Sequence, residues 1–302
     1  MSMQYKILFL VIALDLFSII VDSYSINVGV IDDADILPLN VLSESGKYQG
    51  FISNGTRTFL GIPYAQPPIG QQRFKPPLKQ PFSNVIADQW PLACYQTGIK
   101  NSSLMSEDCL YLNIFTPLVT SNDDGYPVMV FIHGGRYWTG QSSTFPGDFM
   151  SSLGNVILVS IQYRLNIFGF QSFDDNTNNG LLDQQLALQW VQDNIASFNG
   201  NPNNVTIFGE SAGGSSVLHH LTIESSYGLY SGAIVESHWQ WLIPNSLAAR
   251  EKTAAFASAK GCANTTSGGE PDYSLILLCM VSLEASAILP STAQSDFFVP
   301  MI

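Results

Sequence analysis

Five residues, Gly209-Glu210-Ser211-Ala212-Gly213, stand between the apolar run Val205 to Phe208 and a small-residue run that enters Val217 to Leu221. No other stretch narrows the possible folds so far. The pattern predicts a strand that delivers the backbone to a tight turn and a helix that leaves it, with the serine forced into a strained conformation that exposes its hydroxyl. Glycine is needed on both sides because a Cβ at either place would collide with the adjoining strand or helix. A bare match of this kind also fits an ordinary glycine-rich strand-to-helix turn, so its surroundings must decide between the two. A serine alone is a poor nucleophile and needs a base. Only 91 residues (302 − 211) follow Ser211.

The surroundings cooperate. Upstream, VMVFIHGGRYW (residues 128 to 138) is an apolar strand ending in His133-Gly134-Gly135. The amides of Gly134 and Gly135 can approach a developing oxyanion without side-chain obstruction, and the amide of Ala212, the residue after the serine, completes such a hole. Val128 to Ile132 and Val156 to Ile161 are nearly continuous apolar runs, as expected of strands buried on both faces. Leu181 to Phe198 carries the helical period instead, with Ala187, Val191, Ile195 and Phe198 on one row and Leu182, Leu186 and Trp190 on the next. Gly200 and Pro202 stop that helix. Val205 to Phe208 and Gly232 to Val235 read as further strands. Strand and helix alternate, so the fold class is α/β with a mostly parallel, doubly wound sheet. The turn-rich region before Tyr126 reads as shorter, antiparallel strands.

From about residue 50 onward the chain resembles the type-B carboxylesterases, a family that includes the cholinesterases and the non-catalytic neuroligins. The resemblance rests on FLGIPYAQPPIGQQRFKPP (59 to 77), EDCLYLNI (107 to 114), YRLNIFGF (163 to 170), NNGLLDQQLALQWVQDNI (178 to 195) and NVTIFGESAGG (204 to 214). It implies an α/β-hydrolase fold over residues 26–302 and acyl transfer, in which Ser211 attacks an ester carbonyl, a histidine takes its proton and an acid orients the histidine. It also implies that Glu210 shapes the field beside the site without being the triad acid; a solvated carboxylate on the turn is the alternative. In the family the acidic and histidine members of the triad lie farther along than this chain extends, and SDFFVPMI resembles the segment shortly before the acid. The expectation is therefore a domain incomplete at its C-terminus, weak or inactive by itself, with an unpaired sheet edge.

The chain has four histidines to weigh as a substitute base. His133 belongs to the glycine motif, where its backbone is the useful part. His219 and His220 follow the serine on the same helix, out of reach at about 1.5 Å per residue. His238 follows the strand Gly232 to Val235 and is the surrogate base whose position fits, against the plainer reading of a loop histidine. No histidine–cysteine constellation with metal-ligand spacing is present, and neither a metal nor a cofactor is expected.

The remaining sequence bears on compartment and substrate. With 46% hydrophobic and 12% charged residues and a formal net charge of −12, the chain can bury a large core and is a poor partner for nucleic acid. Lys6 followed by ILFLVIALDLFSIIV and small polar residues predicts a secretory signal over residues 1–25, cleaved near Ser23 to Ser25. Asp15 interrupts the run, so an uncleaved membrane anchor or a buried helix is the alternative. A membrane is expected as a partner only in the uncleaved case. Four cysteines in an exported chain permit two disulfides in three pairings, against the alternative of free thiols. The family resemblance implies Cys94 with Cys109 and Cys262 with Cys279, each worth on the order of 3 kcal/mol. Sequons at Asn54, Asn101 and Asn264 suit glycosylation; a fourth, Asn204, leads directly into the strand before Ser211. Only 14 residues (95–108) separate the first two cysteines and none is tryptophan, which disfavours a quaternary ammonium substrate. Trp90, Tyr137, Trp138 and Phe168 either line an apolar pocket or belong to the core. The expected partner is a small carboxylic ester with an apolar portion. The other reading is a secreted, catalytically silent adhesion or binding protein.

Overall fold

The apolar runs become strands whose alternate residues face opposite sides of one central sheet. The computed structural model describes residues 37–121, 124–173, 177–238, 245–290 and 298–300. The leader expected over residues 1–25 lies outside them. Strands β1 (Asn40–Ser43), β2 (Gly46–Gln49), β3 (Phe51–Ser53), β4 (Thr56–Pro63), β5 (Ser83–Ile86), β6 (Ala93–Cys94), β7 (Met105–Ser106) and β8 (Tyr111–Pro117) come first. They are followed by β9 (Tyr126–Ile132), β10 (Ile157–Ile161), β11 (Gly200–Glu210) and β12 (Gly232–Glu236). The central sheet has the order β12-β11-β9-β10-β8-β4-β3.

The sheet is mixed. β12, β11, β9 and β10 run parallel, whereas the β10–β8, β8–β4 and β4–β3 pairs are antiparallel. The parallel pairs of this sheet belong to the half formed after Tyr126, in keeping with the antiparallel reading of the region before it. Parallel neighbours need a long crossover, usually a helix, and between β3 and β9 the only helical segments among the described residues are 3₁₀ turns. A tight Asn54-Gly55 turn joins β3 to β4, with φ of 47° and 76° at its two residues. The early strands are not uniformly antiparallel, however, since β2 pairs parallel with β5 and β6 with β7.

Helices cover both faces. Val128, Val130 and Ile132 of β9, Ile157, Val159 and Ile161 of β10, and Val205 and Ile207 of β11 enter the larger core. That core also holds Ala187 and Val191 of a helix over Asn179–Asn194, and Val217 of a helix over Ala212–His220. The intervening Phe131, Leu158 and Phe208 pack on the other face with Met150 of the helix Asp148–Gly154. In chain order the helices are α1 (Asp148–Gly154), α2 (Asn166–Phe170), α3 (Asn179–Asn194), α4 (Ala212–His220), α5 (Ser246–Ala259), α6 (Tyr273–Ser282) and α7 (Ala285–Ile288).

The helix expected from Leu181 to Phe198 starts two residues earlier and tightens into a 3₁₀ turn over Ile195–Phe198. It is ended by Asn199 in the left-handed region at φ 72°. Gly200 then opens β11, where a Cβ would sit 2.8 Å from Ile195 Cγ1 and 3.0 Å from Val128 Cγ2.

Cys94 is bonded to Cys109 and Cys262 to Cys279. Arg73 joins these two regions: its guanidinium forms an ion pair with Glu107 and donates to the carbonyls of Met280, Val281 and Leu283 at the C-terminal end of α6. Among the described strands β12 pairs only with β11, leaving Ile234 42% exposed on the edge.

Candidate active site

Ser211 stands where β11 ends and α4 begins, with φ 59° and ψ −121°. Such a conformation costs a residue with a Cβ about 1–3 kcal/mol. It is held from three sides. The Ser211 N–H donates to the Glu236 carbonyl of β12 at 3.0 Å, and its own carbonyl accepts from the Ser215 N–H at 3.0 Å. The third restraint is steric. A Cβ on Gly209 would lie 2.5 Å from the Ile132 carbonyl oxygen, one on Gly213 would overlap the same oxygen, and one on Gly214 would lie 2.7 Å from the Glu236 carbonyl oxygen. The turn can wedge between the ends of β9 and β12 only because these three residues lack side chains.

The glycine pair after β9 packs against this crest. A Cβ on Gly134 would sit 2.5 Å from the Glu210 carbonyl oxygen and 3.2 Å from Ser211 Cβ. Gly135 has φ 108°, and its carbonyl accepts from the amides of Trp138 at 3.1 Å and Thr139 at 3.0 Å, closing a loop. Ala212, on the other side of Ser211, is the first residue of α4 and is fully buried. Amides in a helix's first turn have no intrahelical partner. Ser211, Glu210, Gly135, Arg136, Trp138 and Thr97 line a cleft of about 520 Å³. Glu210 is exposed, with a carboxylate oxygen 3.4 Å from where a Cβ of Gly134 would be.

The four histidines separate clearly. His133 is buried, its ring stacks on Tyr163 with centroids 4.4 Å apart, and its carbonyl accepts from the Tyr163 hydroxyl at 2.7 Å. Burial pushes its pKa down to about 4. His220 is buried between Ser226 Oγ at 2.9 Å and Gln184 Oε1 at 3.0 Å, and burial takes it to about 4 as well. Burial also lowers His219, which lies one residue before it on α4. His238 is exposed and follows by two residues the Glu236 whose carbonyl receives the Ser211 amide. That places it at the same end of the sheet. Among the described residues no histidine lines the cleft around Ser211.

Of the four aromatic candidates, only Trp138 lines the cleft. Tyr137 and Phe168 are core residues at 2% and 4% exposure, and Trp90 packs near Phe115 with centroids 6.0 Å apart. Sequence reasoning overlooked Arg136 and Thr97. Arg136 had a signal, since it directly follows the glycine pair; Thr97 lies in a loop without pattern. No group of three or more His, Cys, Asp or Glu side chains among the described residues could hold a metal ion.

Comparison with known proteins identifies the family. The model of the carboxylesterase family matches residues 38–301. The chain is 46% identical to pyrethroid hydrolase Ces2e of Rattus norvegicus over 69% of its own length and 40% of that protein's. It is 42% identical to cholinesterase of Mus musculus over 74% of its length and 41% of the relative's. A solved PNB esterase described as thermophilic superposes with a TM-score of 0.77 at 35% identity, covering 88% of this chain and 58% of that one. The chain thus spans about two fifths of the length of these curated relatives. With the family model matched over most of its residues, the α/β-hydrolase sheet in place and the serine at the crest of the turn, the chain belongs to the carboxylesterase family.

Proposed function

We propose that Ser211 is the nucleophile of a serine carboxylic ester hydrolase working through an acyl-enzyme. Its Oγ adds to the ester carbonyl carbon as the hydroxyl proton passes to a base, the tetrahedral intermediate collapses with that proton returned to the departing alcohol, and water then releases the acid from the acyl-enzyme. The amides of Gly134, Gly135 and Ala212 receive the oxyanion on the way. The observation that carries this reading is the close approach of Gly134 to Ser211, where a Cβ on the glycine would lie 3.2 Å from Ser211 Cβ, with the start of α4 on the other side. A binding module has no chemical need for a strained serine between two sources of amides. Trp138 in the cleft wall favours an ester with an apolar portion.

The base is the open position. His238 is the candidate in this chain, at the right end of the sheet but outside the cleft lining. Turnover by these 302 residues is therefore expected to be slow, and covalent labelling is the sensitive readout. A fluorophosphonate probe should label the purified chain and fail to label Ser211→Ala. A folded chain that resists the probe would favour the silent binding protein instead. Unchanged ester turnover in His238→Ala would remove that histidine from the mechanism.

The two disulfides fit an oxidising compartment and hence the secretory pathway. The leader over residues 1–25 and glycans on Asn54, Asn101 and Asn264 belong to the same reading. Asn54 and Asn101 are exposed and Asn264 is partly so. Expression in a secretory host should give a shortened N-terminus and a glycosidase-sensitive mass; an intact leader on unglycosylated protein would contradict it.

A further inference from the structure

Arg136 and Tyr137 are consecutive non-glycine residues in the left-handed region, with φ of 60° and 64°. Side chains rarely adopt this conformation singly, and two in succession require strong neighbours. Those neighbours are visible. The Tyr137 carbonyl accepts from the Asn166 N–H at 2.7 Å, its hydroxyl accepts from Ser216 Oγ at 3.3 Å, and its ring meets Phe170 edge-on at 5.1 Å. Trp138 is buried next to it. With both successors drawn inward, Arg136 is turned outward into the cleft beside Ser211, its guanidinium 5.2 Å from the centroid of the Trp138 ring.

The charge at this place is balanced, unlike that of the chain as a whole. Twelve Lys and Arg are set against 24 Asp and Glu, yet the cleft lining carries one cation, Arg136, and one anion, Glu210. Glu210 holds its carboxylate by Gly134, at the Ser211 end. An anionic group attached directly to the scissile carbonyl would meet Glu210, whereas one set a few atoms away can reach the guanidinium, a planar donor that matches a carboxylate.

Resting on Ser211 as the nucleophile, we propose that Arg136 is a specificity-determining residue that selects carboxylic esters bearing a second, anionic group spaced from the ester carbonyl. Half-esters of dicarboxylic acids have this chemistry.

Two trifluoromethyl ketones that differ only in their end group, a carboxylate or its neutral carboxamide, test this by calorimetric titration of the full chain. The wild-type protein should prefer the carboxylate by about fivefold at low salt, the size of one partly exposed ion pair, and the preference should shrink as salt is added. Arg136→Gln should abolish the preference, Arg136→Glu should reverse it and Arg136→Lys should retain part of it. Arg136→Gly, which suits the left-handed backbone, removes the charge without risk to folding and should behave as Arg136→Gln does. Equal affinities in wild-type protein, or a preference that survives Arg136→Gln, would overturn the proposal. Ser211→Ala keeps the two readings apart. It should weaken both ketones equally by removing the adduct, so unchanged affinities would count against the nucleophile while the ratio of the two ketones still reports on Arg136.

Discussion

The two halves of the central sheet are ordered by opposite means. In the parallel half, β9, β11 and β12 converge on Ser211 through side chains that are left out: Gly134, Gly209, Gly213 and Gly214 each bring backbone so close to a neighbour that a Cβ has no room. In the antiparallel half, polar side chains are put in. Arg57 of β4, 1% exposed, donates to the carbonyls of Pro38 at 2.8 Å and Phe198 at 2.9 Å. Asn113 of β8, fully buried, accepts from the Gly61 N–H at 2.9 Å where the β4–β8 register shifts, and donates to Ser142 Oγ and Ser160 Oγ. The comparison teaches where each half is vulnerable. Chemistry at a carbonyl needs bare backbone amides near the nucleophile, so the parallel half should suffer from additions, and the antiparallel half from deletions.

The largest effect is expected at Gly213→Ala, because the new methyl would fall on the Ile132 carbonyl oxygen, which is backbone and cannot swing away. A loss of about 4 kcal/mol or more, or no soluble folded protein, should appear in urea denaturation. Gly228→Ala is the opposite control: Gly228 has a left-handed φ, 84°, which helical Gly213 lacks, but nothing lies within 4 Å of its Cβ position, so only a conformational cost of about 1 kcal/mol arises there. Equal costs at the two sites would break the comparison. Next comes Asn113→Leu in the other half. Its volume change is small, yet it strands the Gly61 amide and two buried hydroxyls, and about 3 kcal/mol should be lost. A near-neutral result would mean that packing, and not polar pairing, orders the antiparallel strands.

These two modes of ordering also explain what could be read from the sequence. Close approach leaves a local mark: the glycines around Ser211 and the pair after His133 stand next to apolar strands, and the crest, both strands and the following helix were legible from them. Polar ordering leaves none. Arg57 reaches Phe198 across 141 positions, and Arg73 reaches α6 across more than 200. Asp183 and Gln184 sit fully buried in α3 beside its apolar rows, Asp183 to receive Arg164 at 2.7 and 2.8 Å and Gln184 to hold His220. No periodicity announces such partners. The parallel pairs β2–β5 and β6–β7, in the region that reads as antiparallel, are hidden for a related reason, since short apolar runs look alike whichever direction their neighbours take. Arg136 is intermediate: its position after two glycines was visible, but its outward turn depends on Tyr137 being fixed from Asn166 and Ser216, far along the chain.

The smallest effect sharpens the comparison most, because it concerns the candidate nucleophile itself, where a side chain is retained against the backbone's preference. Gly209 and Gly213 satisfy close packing, but Ser211, at φ 59° and ψ −121°, keeps a Cβ in a conformation that glycine would adopt without strain. Ser211→Gly removes that strain and adds back the entropy that glycine loses on folding, so a net gain of about 1 kcal/mol is expected. Ser211→Ala keeps the Cβ and should leave stability nearly unchanged. Thermal unfolding of the two variants isolates the backbone contribution, and both should lose fluorophosphonate labelling. A gain in Ser211→Gly alone would mean that the fold holds this serine at a cost in its own stability, as expected of a residue kept for chemistry. Equal stabilities in the two variants would mean instead that the strain relieved is no larger than the extra chain entropy glycine loses on folding, and that the crest is a settled part of the fold.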